Sequence, residues 1–484
     1  MDKLNTRFPP SPTGYLHVGG ARTALFGFVM ARKTGGRFVL RIEDTDRARH
    51  DESAVDKIIE DLHWLGIQWD QGPDIGGENG PYRQSERLDV YRRYVEKLLE
   101  DGKAYYAFDT SEELDSLRAA AQEAKQNFTY PRPDPLPTAQ DAEKARDQGR
   151  PVVVRFLCPD GDVTITDDAF GQVTMPSDQT DDFIIQKADA YPTYHLANVI
   201  DDALMGVNYI MRGQEFLGQS WRHKLLRQAM GFDEPGYCHL PLIMDVQGRK
   251  LSKRDGDVEV FAFRKAGYLP EAMVNYLALL GWNPGNDIER FSLDELIEMF
   301  APERVGRTNA KFDRDKLLAF NTDAIAAAGE DRLLEAFKDY LSINDTPIPG
   351  DDDGLLRRIL QANKGFRTFA DIISKSGILF DDEAVIEYDP KAVKKWLNKG
   401  EGAGWTMLAE LRRSLAECDW TVEAIEQLIA DICEQKEIGM GKVAQPIRVA
   451  VAGRAVSPSI GDTLTFLGKE KTLQRIDNCL AIRS

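Results

Sequence analysis

Two short segments carry side chains suited to phosphate chemistry. The first is Pro10-Ser11-Pro12-Thr13-Gly14-Tyr15-Leu16-His17-Val18-Gly19-Gly20, which runs into a stretch with an apolar stripe. A helix opening there presents unpaired N–H groups and roughly half a positive charge. Glycines let a phosphate chain sit close, and an imidazole can donate to phosphate oxygens. His17 is therefore a candidate for stabilising charge that develops on an α-phosphate during adenylyl transfer. Alone, the segment also reads as a tight turn beside a surface histidine. The second segment is Gly248-Arg249-Lys250-Leu251-Ser252-Lys253-Arg254-Asp255-Gly256. Cations and a hydroxyl between glycines suit a mobile loop that closes over a polyphosphate, with lysine as a compact point charge. Alone, this reads rather as a solvated basic loop. Together the two segments fit one phosphate chain held from opposite walls.

Specific elements must position those groups. Thr6-Arg7-Phe8 predicts a short strand, and Pro9, Pro10 and Pro12 keep the next residues out of helix. Gly14, Gly19 and Gly20 predict a turn. Apolar residues at 21, 24, 25, 28 and 29 predict a helix that Gly35-Gly36 ends, and Phe38-Val39-Leu40-Arg41-Ile42 predicts the next strand. Strand–helix–strand at this length is a parallel βαβ unit, the start of a nucleotide-binding α/β domain. Residues 76–185 read as an insertion, with Pro131, Pro133, Pro135 and Pro137 as a stiff connector and a capping box at Thr110 and Glu113. The α/β pattern resumes near Phe183 and runs to about Ile243. Ser292 and Glu295 open another helix. Beyond about residue 320 the chain reads as helical, with Val422, Ile425, Ile429 and Ile432 on one face and a turn at 349–354.

The 484 residues suffice for several cores without disulfides or a structural metal. With 42% apolar and 29% charged residues, a disordered or collagen-like chain is excluded. No run of ~18 apolar residues predicts a membrane span, and the N-terminus shows no secretory signal. Five scattered cysteines, with no Cys-x-x-Cys pair, predict reduced thiols and a cytoplasmic protein. The net charge of −18 argues against a generic nucleic-acid binder. From Lys436 onward, however, eight Lys and Arg face four Asp and Glu.

The two phosphate-type segments resemble the HIGH and KMSKS signatures of class I aminoacyl-tRNA synthetases. Further segments resemble the bacterial glutamyl-tRNA synthetases: Arg7–Gly14, Arg41–Asp46, Gly80–Arg87, Tyr191–Asn198, Asn275–Trp282 and Val443–Arg448. The resemblance spans nearly the whole chain. It implies an α/β Rossmann-type catalytic domain (1–75 and 186–243) with an inserted acceptor-binding domain (76–185). A mobile-loop and stem-contact domain (244–320) and an all-α anticodon-binding region (321–375 and 376–484) would follow. The activity implied is attachment of L-glutamate to tRNA(Glu) through a glutamyl-adenylate, by a monomer that uses ATP with Mg²⁺. By the same resemblance, Arg7, Ser11, Glu43, Tyr194, Asn198 and Arg212 build the glutamate pocket. His17, Gly19, Gly20, Glu215, Lys250 and Lys253 meet ATP, with His17 and Lys253 catalytic. Arg367, Lys442 and Arg448 are implied at the anticodon. The chemistry is coherent: two Arg suit two carboxylates, and one Glu suits an ammonium.

Departures from the pattern are visible. Gly20 ends the first signature in place of His, and Arg254 ends the second in place of Ser. Many relatives hold zinc in the insertion through close cysteines; Ala104–Asp109 has none, so no zinc is expected, and Cys158 and Cys238 read as buried thiols. A smaller adenylyltransferase is disfavoured by length. A tRNA-base-modifying relative would lack the region after 320, and an inactive paralogue would be expected to lose Arg7, His17 or Lys253.

Overall fold

The prolines stop the first strand after three residues: β1 spans Thr6–Phe8 and pairs in parallel with β2, Phe38–Leu40, with Arg7 opposite Val39. The computed structural model describes residues 2–12, 14–46, 52–251, 258–381 and 383–483. The helix between the strands, α1, runs Val18–Thr34. It buries the expected stripe, but also Arg22, Phe26, Met30 and Ala31, so it is enclosed on most sides. It ends at Gly35, whose φ of 67° and N–H bonds to the Ala31 and Arg32 carbonyls form a left-handed cap.

The glycines differ from expectation. Gly14 has a φ of 148°, a conformation that other residues rarely adopt. Gly19 and Gly20 instead lie inside the first turn of α1. Their smallness matters for space: a Cβ on Gly20 would come within 3.2 Å of Leu16 and 3.5 Å of Phe8.

The chain forms two units, Met1–Ala262 with Pro270–Leu317 and Phe263–Leu269 with Leu318–Ser484. In the first, β3 (Ala104–Ala107), β4 (Val153–Phe156) and β7 (Ile184–Gln186) make an antiparallel sheet, and β5 (Val163–Asp167) and β6 (Gly171–Met175) make a hairpin. The capping box at Thr110 and Glu113 forms, and so does the one at Ser292 and Glu295. After β7 comes the helix Tyr194–Leu204, then β8 (Tyr209–Gly213), the helix Ser220–Met230 and β9 (Gly236–Leu240). β8 and β9 pair in parallel, Arg212 opposite His239. α1 packs on both β1 and β8, which brings Arg7 and Arg212 toward the same wall.

Among the described residues of the second unit the regular elements are all helices. One core gathers Phe337, Tyr340, Leu356 and Phe369, another Trp405, Leu408, Ile447 and Leu464. The helix Val422–Gln435 buries Ile425, Ile429 and Ile432. At the Asp-rich turn, Asp352 caps the helix Asp353–Ala362 by accepting the Leu355 N–H. No helix among the described residues is long and apolar enough to cross a membrane.

Candidate active site

A cavity of about 460 Å³ opens in the first unit between α1, β1 and β8. Arg7, Ser11, Glu43, Tyr194 and Arg212 line one part of it; His17, Gly19, Gly20, Glu215 and Lys250 line another. Ten of the residues singled out by sequence thus share one cavity. Asn198 does not line it. Fully buried, it stands behind Glu43 and donates from Nδ2 to Glu43 Oε1 at 2.8 Å. Asn198 therefore supports the pocket instead of forming its wall.

The buried charges at this end are cross-braced. Arg7 donates from Nε to Asp202 Oδ1 (3.1 Å) and from Nη1 to the Met211 carbonyl (3.3 Å). Arg41, fully buried, donates to the same Asp202 oxygen (2.8 Å) and to Glu43 Oε1 (3.2 Å). Burial pushes the Asp202 carboxyl up, but Arg7, Arg41 and Arg227 more than cancel that and hold it at about 2. Glu43 goes the other way: burial raises its pKa despite Arg41, Asn198 and Arg7. Its bonds from Arg41, Asn198 and Gln84 all fall on Oε1.

Arg212 sits in a second lattice. Its Nε donates to His239 Nε2 (3.0 Å), Nη1 to His223 Nδ1 (3.2 Å) and Nη2 to Ser220 Oγ (2.5 Å). The Phe216 and Tyr237 rings flank the guanidinium at 5.7 and 5.8 Å. Tyr194 packs near Phe216, His195 and His223, at centroid distances of 5.4 to 5.7 Å.

At the other end, His17 caps α1. Its Nδ1 accepts the Gly19 N–H at 3.0 Å, so the neutral ring carries its proton on Nε2. Arg22 donates to the Pro241 (2.6 Å) and Leu280 (2.8 Å) carbonyls; burial lowers it to about 10, with Glu215 pulling the other way. Lys250 and Glu215 are exposed at the cavity. Lys253, with Ser252 and Arg254, lies outside the described residues. Leu251 on one side of that segment lines the cavity. On the other side, Val18 N–H bonds the Val258 carbonyl and Val260 N–H the Leu16 carbonyl, against the His17 turn.

Sequence reasoning missed Arg41, Asp201 and Asp202, and the Arg212 partners Ser220, His223 and His239. One signal was present: Asp201-Asp202 continues the Leu196–Ile200 stretch of a helix whose other residues there are apolar or Asn198, and two acids on a buried face require cations.

The family described as tRNA synthetases class I (E and Q), catalytic domain, matches residues 3–319, and the anticodon binding domain matches 332–480. A glutamate–tRNA ligase of Anaeromyxobacter sp. (strain Fw109-5) is 40% identical over 100% of both chains, and one of Geotalea uraniireducens (strain Rf4) is 41% identical over 99% of each. The crystal structure of a glutamate tRNA ligase from Elizabethkingia meningosepticum CCUG26117, in complex with its amino acid, superposes with a TM-score of 0.81 at 36% identity, covering 99% of both chains. The chain belongs to the glutamate–tRNA ligase family.

In this synthetase the polar side chains at and beside Ala104–Asp109 pair with one another. Asp109 accepts from Tyr130 (2.5 Å), and Asp182 accepts from Tyr105 (2.8 Å), Arg132 (2.8 Å) and the Cys158 N–H (2.8 Å). Burial pushes the Cys158 thiol up to about 12. Among the described residues no group of three or more His, Cys, Asp or Glu is arranged to hold a metal. In the anticodon unit, Arg367 and Lys442 are exposed. Arg448 is half-buried and braces its own neighbourhood, donating to Ser457 Oγ (3.1 Å) and the Pro458 carbonyl (3.2 Å).

Proposed function

We infer that the protein joins L-glutamate to tRNA(Glu) in two steps. A carboxylate oxygen of glutamate attacks the α-phosphorus of ATP, which enters with Mg²⁺, and pyrophosphate leaves. A ribose hydroxyl of the tRNA 3′-terminal adenosine then attacks the glutamyl carbonyl, and AMP leaves. In this reading Arg7 and Arg212 each take a carboxylate, and Glu43 Oε2 takes the ammonium. Tyr194 and Ser11 complete that wall. The imidazole Nε2–H of His17 and the ammonium groups of Lys250 and Lys253 meet the phosphates, and Gly19, Gly20 and Glu215 shape the nucleotide's seat. The protein performs no covalent chemistry of its own; positioning and charge stabilisation carry the rate.

One observation supports this above the rest: two buried guanidiniums, a carboxylate and a helix-capping imidazole share one cavity. Glutamine would fit poorly, because its amide N–H groups would face guanidinium N–H groups with no acceptor between them. In this reading the protein acts as a monomer, and five unbridged thiols suit the cytoplasm. Arg367, Lys442 and Arg448 belong, in this reading, to the anticodon-binding face.

ATP–pyrophosphate exchange tests the assignment. Exchange is expected with glutamate and tRNA(Glu), and not with glutamine. Exchange that needs no amino acid, or runs on glutamine, would reject it.

A further inference from the structure

Three of the six histidines in the sequence meet around or behind one guanidinium. A guanidinium has donors and no acceptor, so every ring nitrogen facing Arg212 must offer a lone pair. That fixes the tautomers. His239 accepts from Arg212 at Nε2, so its proton is on Nδ1, which faces Asp167 Oδ2 at 2.6 Å. His223 accepts at Nδ1, so its proton is on Nε2, which faces His195 Nδ1 at 3.1 Å. Burial depresses the pKa of all three rings, which keeps them neutral.

Asp167 is itself fixed. Its Oδ1 accepts the Ala169 and Phe170 N–H groups (3.0 and 2.8 Å), and Oδ2 also accepts the His239 N–H (3.0 Å). It ends β5, in the hairpin between β4 and β7. The same hairpin turn bonds β8 through Asp168 Oδ2 and Tyr209 O–H (2.5 Å) and β9 through Asp168 N–H and the Tyr237 carbonyl (2.8 Å).

Arg212 has five N–H groups. His239, His223 and Ser220 take three. One remains on each terminal nitrogen, the number a carboxylate accepts in a bidentate pair. We propose that Asp167, His239 and His223 are positioning residues that hold Arg212 with this donor pair free for a substrate carboxylate, so that the β5–β6 hairpin sets part of the glutamate pocket's geometry. This rests on the reading that Arg212 binds glutamate.

Aminoacylation kinetics on the full chain with tRNA(Glu) test it. In Asp167→Asn an amide N–H can replace Oδ2, driving the His239 proton to Nε2 and against Arg212. Glutamate KM is expected to rise about tenfold or more, the loss typical of a charge-assisted hydrogen bond, with kcat and ATP KM within about threefold. His239→Phe should match it. His239→Gln, whose Oε1 keeps an acceptor for Arg212, should recover most of the loss. If Arg212→Ala raises glutamate KM while Asp167→Asn and His239→Phe leave it within about twofold, the positioning role is wrong and the pocket stands. If Arg212→Ala leaves it unchanged, pocket and proposal fall together. A uniform loss in glutamate KM, ATP KM and kcat would mean a structural role only and overturn the proposal. Should the variants not fold, histidine-selective ¹⁵N NMR of the wild-type chain decides: His239 is expected protonated on Nδ1 and bare on Nε2, and a proton on Nε2 would refute the scheme.

Discussion

The two ends of the cavity are built on opposite principles. Around Arg7, Glu43 and Arg212 each side chain is held by two or more protein hydrogen bonds before any ligand arrives. Around Lys250 and Glu215 the side chains are exposed. Selection of an amino acid rewards a rigid site, because a wrong ligand then leaves buried groups unpaired. Triphosphate and tRNA must enter and leave, which favours groups that solvent can reach. The difference teaches where binding energy is stored in advance and where it is gained when a ligand arrives.

The largest effect should come from removing a brace at the rigid end. Asp202→Asn leaves Arg7 and Arg41 short of their counter-charge, and breaking such a buried pair costs about 3–5 kcal/mol. Chemical denaturation of the first unit is expected to show that loss. A change below about 1 kcal/mol would mean the ion cluster is looser than its geometry implies.

His17 lies where the two principles meet: its Nδ1 caps α1, and in the proposed function its Nε2–H meets phosphate. His17→Ala should lower kcat by about 100- to 1000-fold, the worth of one oxyanion donor, with glutamate KM nearly unchanged. His17→Asn separates the roles. Its side-chain oxygen can still accept the Gly19 N–H and keep the cap, worth about 1 kcal/mol, but it has no group at Nε2. Stability should return and rate should not. Recovery of both would remove His17 from the chemistry.

The rigid end should also be the acid-sensitive one. Burial, helped by Arg222 and Arg212, lowers His195 to about 4, from an unfolded value near 6.5. The unfolded chain then takes up the proton first. This contribution to stability is full above pH ~6.5 and is lost as pH falls toward 4. His223 and His239 shift in the same direction. Glu43, raised by burial, opposes them, since the folded state binds its proton more readily. Melting temperature is expected to fall between pH 7 and 5, and His195→Asn, whose oxygen replaces Nδ1, should flatten that slope. An unchanged slope would assign the acid sensitivity to other groups.

How much could be read in advance follows the same division. Local rules carried far: the proline-limited strand, the helix closed by Gly35, and the capping boxes at Thr110 and Ser292 each depend on residues within a few positions. Motif residues such as Arg7, Glu43 and Arg212 were legible because resemblance marks them. Their supports were not. Asp202 reaches Arg7 across 195 positions and Asp167 reaches His239 across 72, and no periodicity reports such pairs. Asn198 was legible as a polar residue one turn from Tyr194, but which side of Glu43 it occupies is a matter of packing. The first-turn glycines misled, because glycine suggests a turn while a helix start tolerates it where space is short.

The smallest effects belong to exposed cations in the anticodon unit, where the contrast between braced and open side chains recurs. Arg448 is tied to Ser457 and Pro458, so Arg448→Ala should cost folding stability as well as tRNA affinity. Lys442 is exposed, and Lys442→Ala should leave melting unchanged. If its ammonium meets a phosphate, tRNA(Glu) affinity drops only a few-fold, and the slope of log affinity against log salt becomes shallower by about 0.7–0.9. Glutamate KM should not move. A lost affinity with an unchanged salt slope would mean that Lys442 reads a base edge, which places sequence recognition on an open side chain and breaks the rule drawn from the cavity.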